Sequence, residues 1–122
     1  QRQNDILDLS IEDSVVRCYM DAEAYALSTY QTASRLINNG AIGPESSCNK
    51  IFWSELDLRI HETAMSLLGA KAEIEPSSPD ADQQLANWLD GFLFAQSGPI
   101  YAGTNEIQRN IIAERMLGMP RR

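Results

Sequence analysis

Residues 45–69 read ESSCNKIFWSELDLRIHETAMSLLG, and their spacing decides the fold. Cys48, Phe52, Leu56, Ile60, Ala64, Leu67 and Leu68 recur in steps of four and then three. That period lines one face of a helix, whereas a strand would alternate every second residue. Gly69 stops the run, because glycine accepts the left-handed backbone that a helix terminus wants. Upstream, a short break at Ala41–Pro44 separates it from a longer segment, Ile11–Asn38. There Val15, Tyr19, Ala22, Ala26, Tyr30, Ala33 and Ile37 keep the helical period and predict the buried face of a first helix. Ser10 is the expected cap, Glu12 and Asp13 complement the helix dipole, and Asn39-Gly40 ends the segment. At 1.5 Å per residue such a helix is about 40 Å long. Two long helices joined by a few residues make an antiparallel hairpin.

Downstream, Ala70–Asp82 lacks a pattern, and Glu75-Pro76-Ser77-Ser78-Pro79-Asp80 within it reads as an exposed loop. A third helix is expected over Ala81–Ala95 with Leu85, Trp88, Leu89, Phe92 and Leu93 inward, broken by Ser97-Gly98-Pro99. A last helix runs from Asn105 to Leu117, closed by Gly118 and then Pro120. With no strand-like alternation and no internal repeat, the expectation is an all-α, antiparallel helical bundle of about four helices, one domain over 1–122.

Bulk properties agree. A chain of 122 residues has room for a single modest core, and 43 % hydrophobic with 22 % charged residues is the balance of a globular domain. A net charge of −7 argues against nucleic acid and anionic membranes, which need clustered Lys and Arg. No apolar run reaches the roughly 20 residues of a membrane span. Two cysteines, Cys18 and Cys48, set neither a disulfide framework nor a metal spacing. A reducing cytoplasm is the simpler home. A start reading QRQNDILDLS, with no secretory pattern, suggests a piece of something longer.

Between the last two helices lies Ile100-Tyr101-Ala102-Gly103-Thr104-Asn105-Glu106-Ile107-Gln108-Arg109. It reads as a strand-like approach, a glycine that lets a ligand near the main chain, and a helix start capped by Thr104. Amides at such a start can hold a phosphate or another electron-rich group, although a Gly-Thr before a helix is most often plain capping.

The whole string FLFAQSGPIYAGTNEIQRNIIAERMLGMPRR, residues 92–122, resembles the closing segment of acyl-CoA dehydrogenases. In that family a Tyr-x-Gly-Thr-x-x-Ile-Gln-Arg stretch opens the last helix, and Leu-Gly-x-Pro-Arg is a frequent ending. Glu45-Ser46-Ser47, Lys50, Ser54-Glu55-Leu56, Arg59-Ile60 and Leu67-Leu68-Gly69 resemble the helix before the family's flavin loop. The resemblance covers Leu9–Arg122. It implies FAD-dependent oxidation of an acyl-CoA thioester across Cα–Cβ: a carboxylate removes the α proton while hydride passes to the flavin. It also implies an electron-transfer flavoprotein or similar acceptor, and self-association or a heteromeric tetramer through the helical domain. By motif position, Thr104, Asn105 and Glu106 fall where members touch FAD, and Tyr101 and Gly103 fall beside acyl chain and thioester.

Two departures qualify this. Many members carry the catalytic Glu directly after the motif's Tyr; here that position is Ala102, which cannot accept a proton. Glu106, one turn into the helix, should point away from the base position. The base then sits on an earlier helix upstream of Gln1, or on another chain of a mixed oligomer in which this one is a non-catalytic subunit. Second, Gly69-Ala70-Lys71-Ala72-Glu73 replaces the Gly-Gly-x-Gly flavin loop of many relatives. The family's earlier helical domain and β-domain have no counterpart here, so the chain alone is expected to be inactive.

Other residues carry blander readings. His61, beside Asp57 and Glu62, reads as a surface or edge histidine with no convergent metal ligands. Cys18 and Cys48 read as small core residues, and Trp53 and Trp88 as packing anchors. Arg109, Arg115, Arg121 and Arg122 suit CoA phosphates, but helix-end positions explain the last three equally.

Overall fold

The computed structural model describes residues 9–73, 78 and 83–121. Four α-helices are present: α1 (Leu9–Asn39), α2 (Glu45–Leu68), α3 (Gln83–Ala95) and α4 (Asn105–Arg115). No strand occurs among the described residues, and the all-α reading holds. Helix α2 has the expected bounds. Immediately after it, where a plain loop was expected, Gly69–Glu73 coil into a 3₁₀ turn. Of the proline-serine loop only Ser78 belongs to the described residues. Helix α1 already includes Leu9, so Ser10, the expected cap, lies within the helix, and its carbonyl accepts the Ser14 hydroxyl at 2.8 Å. Gly40, at φ +71°, ends α1 with its amide on the Leu36 carbonyl.

Helix α2 is the hub. Helices α1, α3 and α4 each pack on it and not on one another. Partners along α1 and α2 run in opposite order, which fixes the antiparallel hairpin. Cys18 meets Thr63 at 3.6 Å, Asp21 meets Arg59 at 2.9 Å, Tyr25 stacks on Phe52 at 5.9 Å, and Arg35 meets Glu45 at 3.4 Å. Between them Asn49 is shared by the hydroxyls of Ser28 and Thr32, both at 3.2 Å.

That seam corrects the expected face of α1. The inward residues are Ser14, Cys18, Asp21, Tyr25, Ser28 and Thr32, whereas the apolar stripe points away. Tyr19 is 67 %, Tyr30 73 % and Ile37 85 % exposed, and Val15, Ala26 and Ala33 are exposed as well; Ala22 alone of the stripe is partly covered. The period was right and the face wrong, because small polar side chains let α1 approach α2 through paired hydrogen bonds. Leu67, Trp88 and Leu93, expected inside, are also exposed, and so is Cys48, whose sulfur lies 3.8 Å from that of Met116. Only two hydrophobic side chains fall in the buried class among the described residues: Leu56 and Ala95, at 5 % and 1 %.

The α2–α3 contact depends on a glycine. A Cβ on Gly91 would run into the His61 ring, which stands edge-on to Trp88 at 5.6 Å. His61 is therefore an edge residue locked in a helix crossing. Helix α4 ends at Arg115, earlier than Leu117, and Gly118 at φ +66° turns the Met119 amide back to the Ala113 carbonyl.

Candidate functional site

The segment from Ser97 to Gly103 is a succession of turns and not the strand-like approach expected of it. The Ser97 carbonyl accepts both the Ile100 and Tyr101 amides, at 2.9 and 3.0 Å. Gly98, buried, packs against Ser54 on α2 so closely that a Cβ would come to 3.5 Å of the serine Cβ and 3.0 Å of the Ala95 carbonyl oxygen. Tyr101 stands edge-on to Trp53 at 5.8 Å and tilts against Phe94 at 6.3 Å. Ala102 and Gly103 then adopt positive φ, +55° and +87°, and both are exposed. For an L-residue that conformation costs roughly 1 kcal/mol or more, since Cβ crowds the next carbonyl.

Thr104 is the N-cap of α4, as expected: its hydroxyl oxygen accepts the Ile107 amide at 3.3 Å. The remaining amides of this start are also spoken for. The Asn105 amide donates to the Pro99 carbonyl at 2.9 Å. Glu106 folds back, and its carboxyl is held below the ordinary carboxylate range by its own backbone N–H, by the Thr104 hydroxyl, and by the charges of Arg109 and Lys50. The picture of free amides awaiting a phosphate is therefore corrected. What the helix start offers is an exposed carboxylate on Glu106, with lone pairs left to accept, beside the Thr104 cap and the exposed Gly103 against which the Gln108 amide lies. Such a set repels a pyrophosphate and suits ribose or ribityl hydroxyls, which can donate to it.

Asn105, 3 % exposed, faces α2. Its Oδ1 accepts from Lys50 Nζ at 2.7 Å and Ser54 Oγ at 3.1 Å, and its Nδ2 donates to Glu55 Oε1 at 3.4 Å. Glu55 in turn accepts Arg109 at 2.6 Å. Sequence reading had no account of this polar hub. The four-residue steps of Lys50 and Ser54 on α2 and of Asn105 and Arg109 on α4 put each pair on one face of its own helix, but only the packing of α4 on α2 sets those faces together. Arg109 is thus tied to α2, and Arg121 lies 3.8 Å from Glu114.

Grooves lie elsewhere on the described surface, two of them between α1 and α2. An apolar one of about 280 Å³ is lined by Val15, Ile60, Ala64, Leu68 and Trp88, and a polar one of about 350 Å³ by Ser14, Arg17, Arg59 and Glu62. Neither borders the 100–104 turn. No His/Cys/Asp/Glu cluster able to hold a metal occurs among the described residues, and no helix there is long and apolar enough to cross a membrane.

Comparison with known proteins places this architecture. Residues 5–117 match the family model described as acyl-CoA dehydrogenase, C-terminal domain. Acyl-CoA dehydrogenase IpdE1 of Mycobacterium tuberculosis is 38 % identical over 77 residues, 63 % of this chain and 19 % of that protein. IpdE1 of Mycolicibacterium smegmatis is 40 % identical over 78 residues, 63 % of this chain and 18 % of its own length. Acyl-CoA dehydrogenase FadE26 of M. tuberculosis is 29 % identical over 116 residues, 91 % of this chain and 28 % of its own. The chain therefore spans less than a third of the relatives it matches. Among solved structures, the ChsE4-ChsE5 complex from M. tuberculosis superposes with a TM-score of 0.78 at 28 % identity, over 92 % of this chain and 28 % of the matched one. With the family model covering nearly the whole sequence and the helices laid out as described, the chain belongs to the acyl-CoA dehydrogenase family, as its C-terminal helical domain.

Proposed function

We propose that this chain is the helical C-terminal part of an FAD-dependent acyl-CoA dehydrogenase that introduces a Cα–Cβ double bond into an acyl-CoA thioester, and that it is inactive without the rest of that enzyme. The observation that carries the reading is the turn at Tyr101–Glu106, in which Tyr101, Gly103 and Glu106 are exposed around the Thr104 cap while Asn105 is buried against α2. When bound, a flavin supplies the hydride acceptor. The protein's own share is binding and orientation. Thr104 and Glu106 take up nucleotide hydroxyls, Tyr101 and Gly103 border the acyl thioester, and Asn105 holds the start of α4 on α2 from behind. Ala102 moves no proton.

Because Ala102 stands where many relatives have their base, the carboxylate that removes the α proton comes from an earlier helix of the whole chain or from a partner subunit. The second reading, a non-catalytic subunit of a heteromeric dehydrogenase, is favoured by that alanine and by the likeness to the ChsE4-ChsE5 complex. In either case the protein works in the cytoplasm, with acyl-CoA as substrate and an electron-transfer flavoprotein or similar acceptor.

A dye-reduction assay tests this. The 122-residue chain is expected to reduce no dye with any acyl-CoA, and turnover by it would overturn the reading. The full-length protein is expected to purify yellow with bound FAD. A colourless full-length protein that does not take up FAD even with its partner chain present would leave only a helical association domain.

A further inference from the structure

Ala102 is the one non-glycine residue with positive φ among the described residues, and it is followed at once by Gly103 in the same half of conformational space. A left-handed alanine persists only where its surroundings over-determine it. The fastenings on either side do not touch the pair itself: Ile100 and Tyr101 hang on the Ser97 carbonyl, and the Asn105 amide on that of Pro99. The group that does reach it is the side chain of Gln108. Its Nε2 donates to the Ala102 carbonyl at 3.1 Å, and a Cβ on Gly103 would lie 2.8 Å from the same nitrogen. Gln108 is itself fixed, since its backbone amide closes the first turn of α4 on the Thr104 carbonyl at 2.9 Å.

We propose that Gln108 is a positioning residue, whose amide latches the left-handed Ala102–Gly103 pair and thereby sets the direction in which Tyr101 and the Gly103 backbone are presented. The chemistry selects this side chain. A donor of that reach is required, because a carboxylate at the same place would face the carbonyl oxygen and repel it. A side chain must also lie flat against a glycine that has no Cβ to push it off. The functional meaning of the latch rests on the reading of this turn as part of the nucleotide and acyl-CoA site; the latch itself does not.

Proton NMR of the 122-residue chain provides the test, because positive φ shortens the distance between an amide proton and its own Hα. Ala102 is expected to give a strong intraresidue cross-peak, and the Tyr101 ring to show contacts with Trp53. Gln108→Met, of similar length but without a donor, and Gln108→Glu are expected to lose the Ala102 signature and weaken the ring contacts. Gln108→Lys, which can donate, is expected to keep both. A signature equally strong in Gln108→Met, or weak in the unaltered chain, overturns the proposal. Should Gln108→Met lose helix content, Ala102→Gly in the same background is expected to recover the Tyr101–Trp53 contact, because glycine holds the conformation unaided; failure to recover it shows that Gln108 acts elsewhere. FAD retention by the full-length protein separates the two claims. Retention unchanged by Thr104→Ala and Gln108→Met, with the Ala102 signature lost, removes the nucleotide reading and upholds the latch.

Discussion

At the scale of single residues, Asn105 and Thr104 stand side by side and teach different lessons. The capping role of Thr104 was legible, because a cap acts on an amide three positions away in the same segment. The role of Asn105 was not, because Lys50, Ser54 and Glu55 lie about fifty positions upstream and no local rule connects them. Its motif position suggested a cofactor contact, whereas its side chain is spent on α2. Asn105→Ala should leave the Lys50 ammonium without its acceptor and the Ser54 hydroxyl with the Ile51 carbonyl alone. The expected loss is about 2–3 kcal/mol, read as a lower urea midpoint. Unchanged stability would mean that solvent already serves those groups. The left-handed alanine makes the opposite prediction. Ala102→Gly relieves a cost of roughly 1–2 kcal/mol and adds chain entropy of about 0.4–1 kcal/mol to the unfolded state. A net gain of about 0.5–1 kcal/mol is expected in the same denaturation experiment.

At the scale of the helix, periodicity located α2 to the residue and most of the other helices to within a turn, but it did not say which face of α1 turns inward. Apolar period and buried face coincide only when a helix packs its greasiest side inside its own chain; α1 packs its small polar side there. The start of α4 shows how far local chemistry can be taken. The Glu106 carboxyl is held below its ordinary range by its own amide and the Thr104 hydroxyl. A carboxylate whose folded pKa is depressed contributes stability that is present above the unfolded value and lost as pH falls through the folded one. The stability advantage of the unaltered chain over Glu106→Gln should therefore be seen at neutral pH and vanish in acid. A difference independent of pH would show that the charge is not the cause. Thr104→Ala should cost about 1 kcal/mol as a lost cap and also let the Glu106 titration, followed by NMR, move back up toward the ordinary carboxylate range.

For the whole molecule, the arrangement around α2 leaves α1 touching a single neighbour, with Tyr19, Leu27, Tyr30 and Ile37 all turned to the outside. A 122-residue chain with so few fully buried apolar side chains gains little from its own core. Contiguous apolar surface on this scale marks contact with another protein body more often than with water. The chain spans less than a third of the length of the relatives it matches, and the ChsE4-ChsE5 structure that it resembles is a complex. The outer stripe of α1 is thus expected to drive association of the isolated chain. Replacing Tyr19, Leu27 and Tyr30 together by Gln should lower its weight-average mass in sedimentation at micromolar concentration. Helix content should stay unchanged, because the α1–α2 seam runs through Cys18, Asp21, Tyr25, Ser28 and Thr32 on the other side. Loss of helicity in that triple variant would mean that the stripe holds the hairpin together after all, and the assignment of the two faces of α1 would have to be reversed.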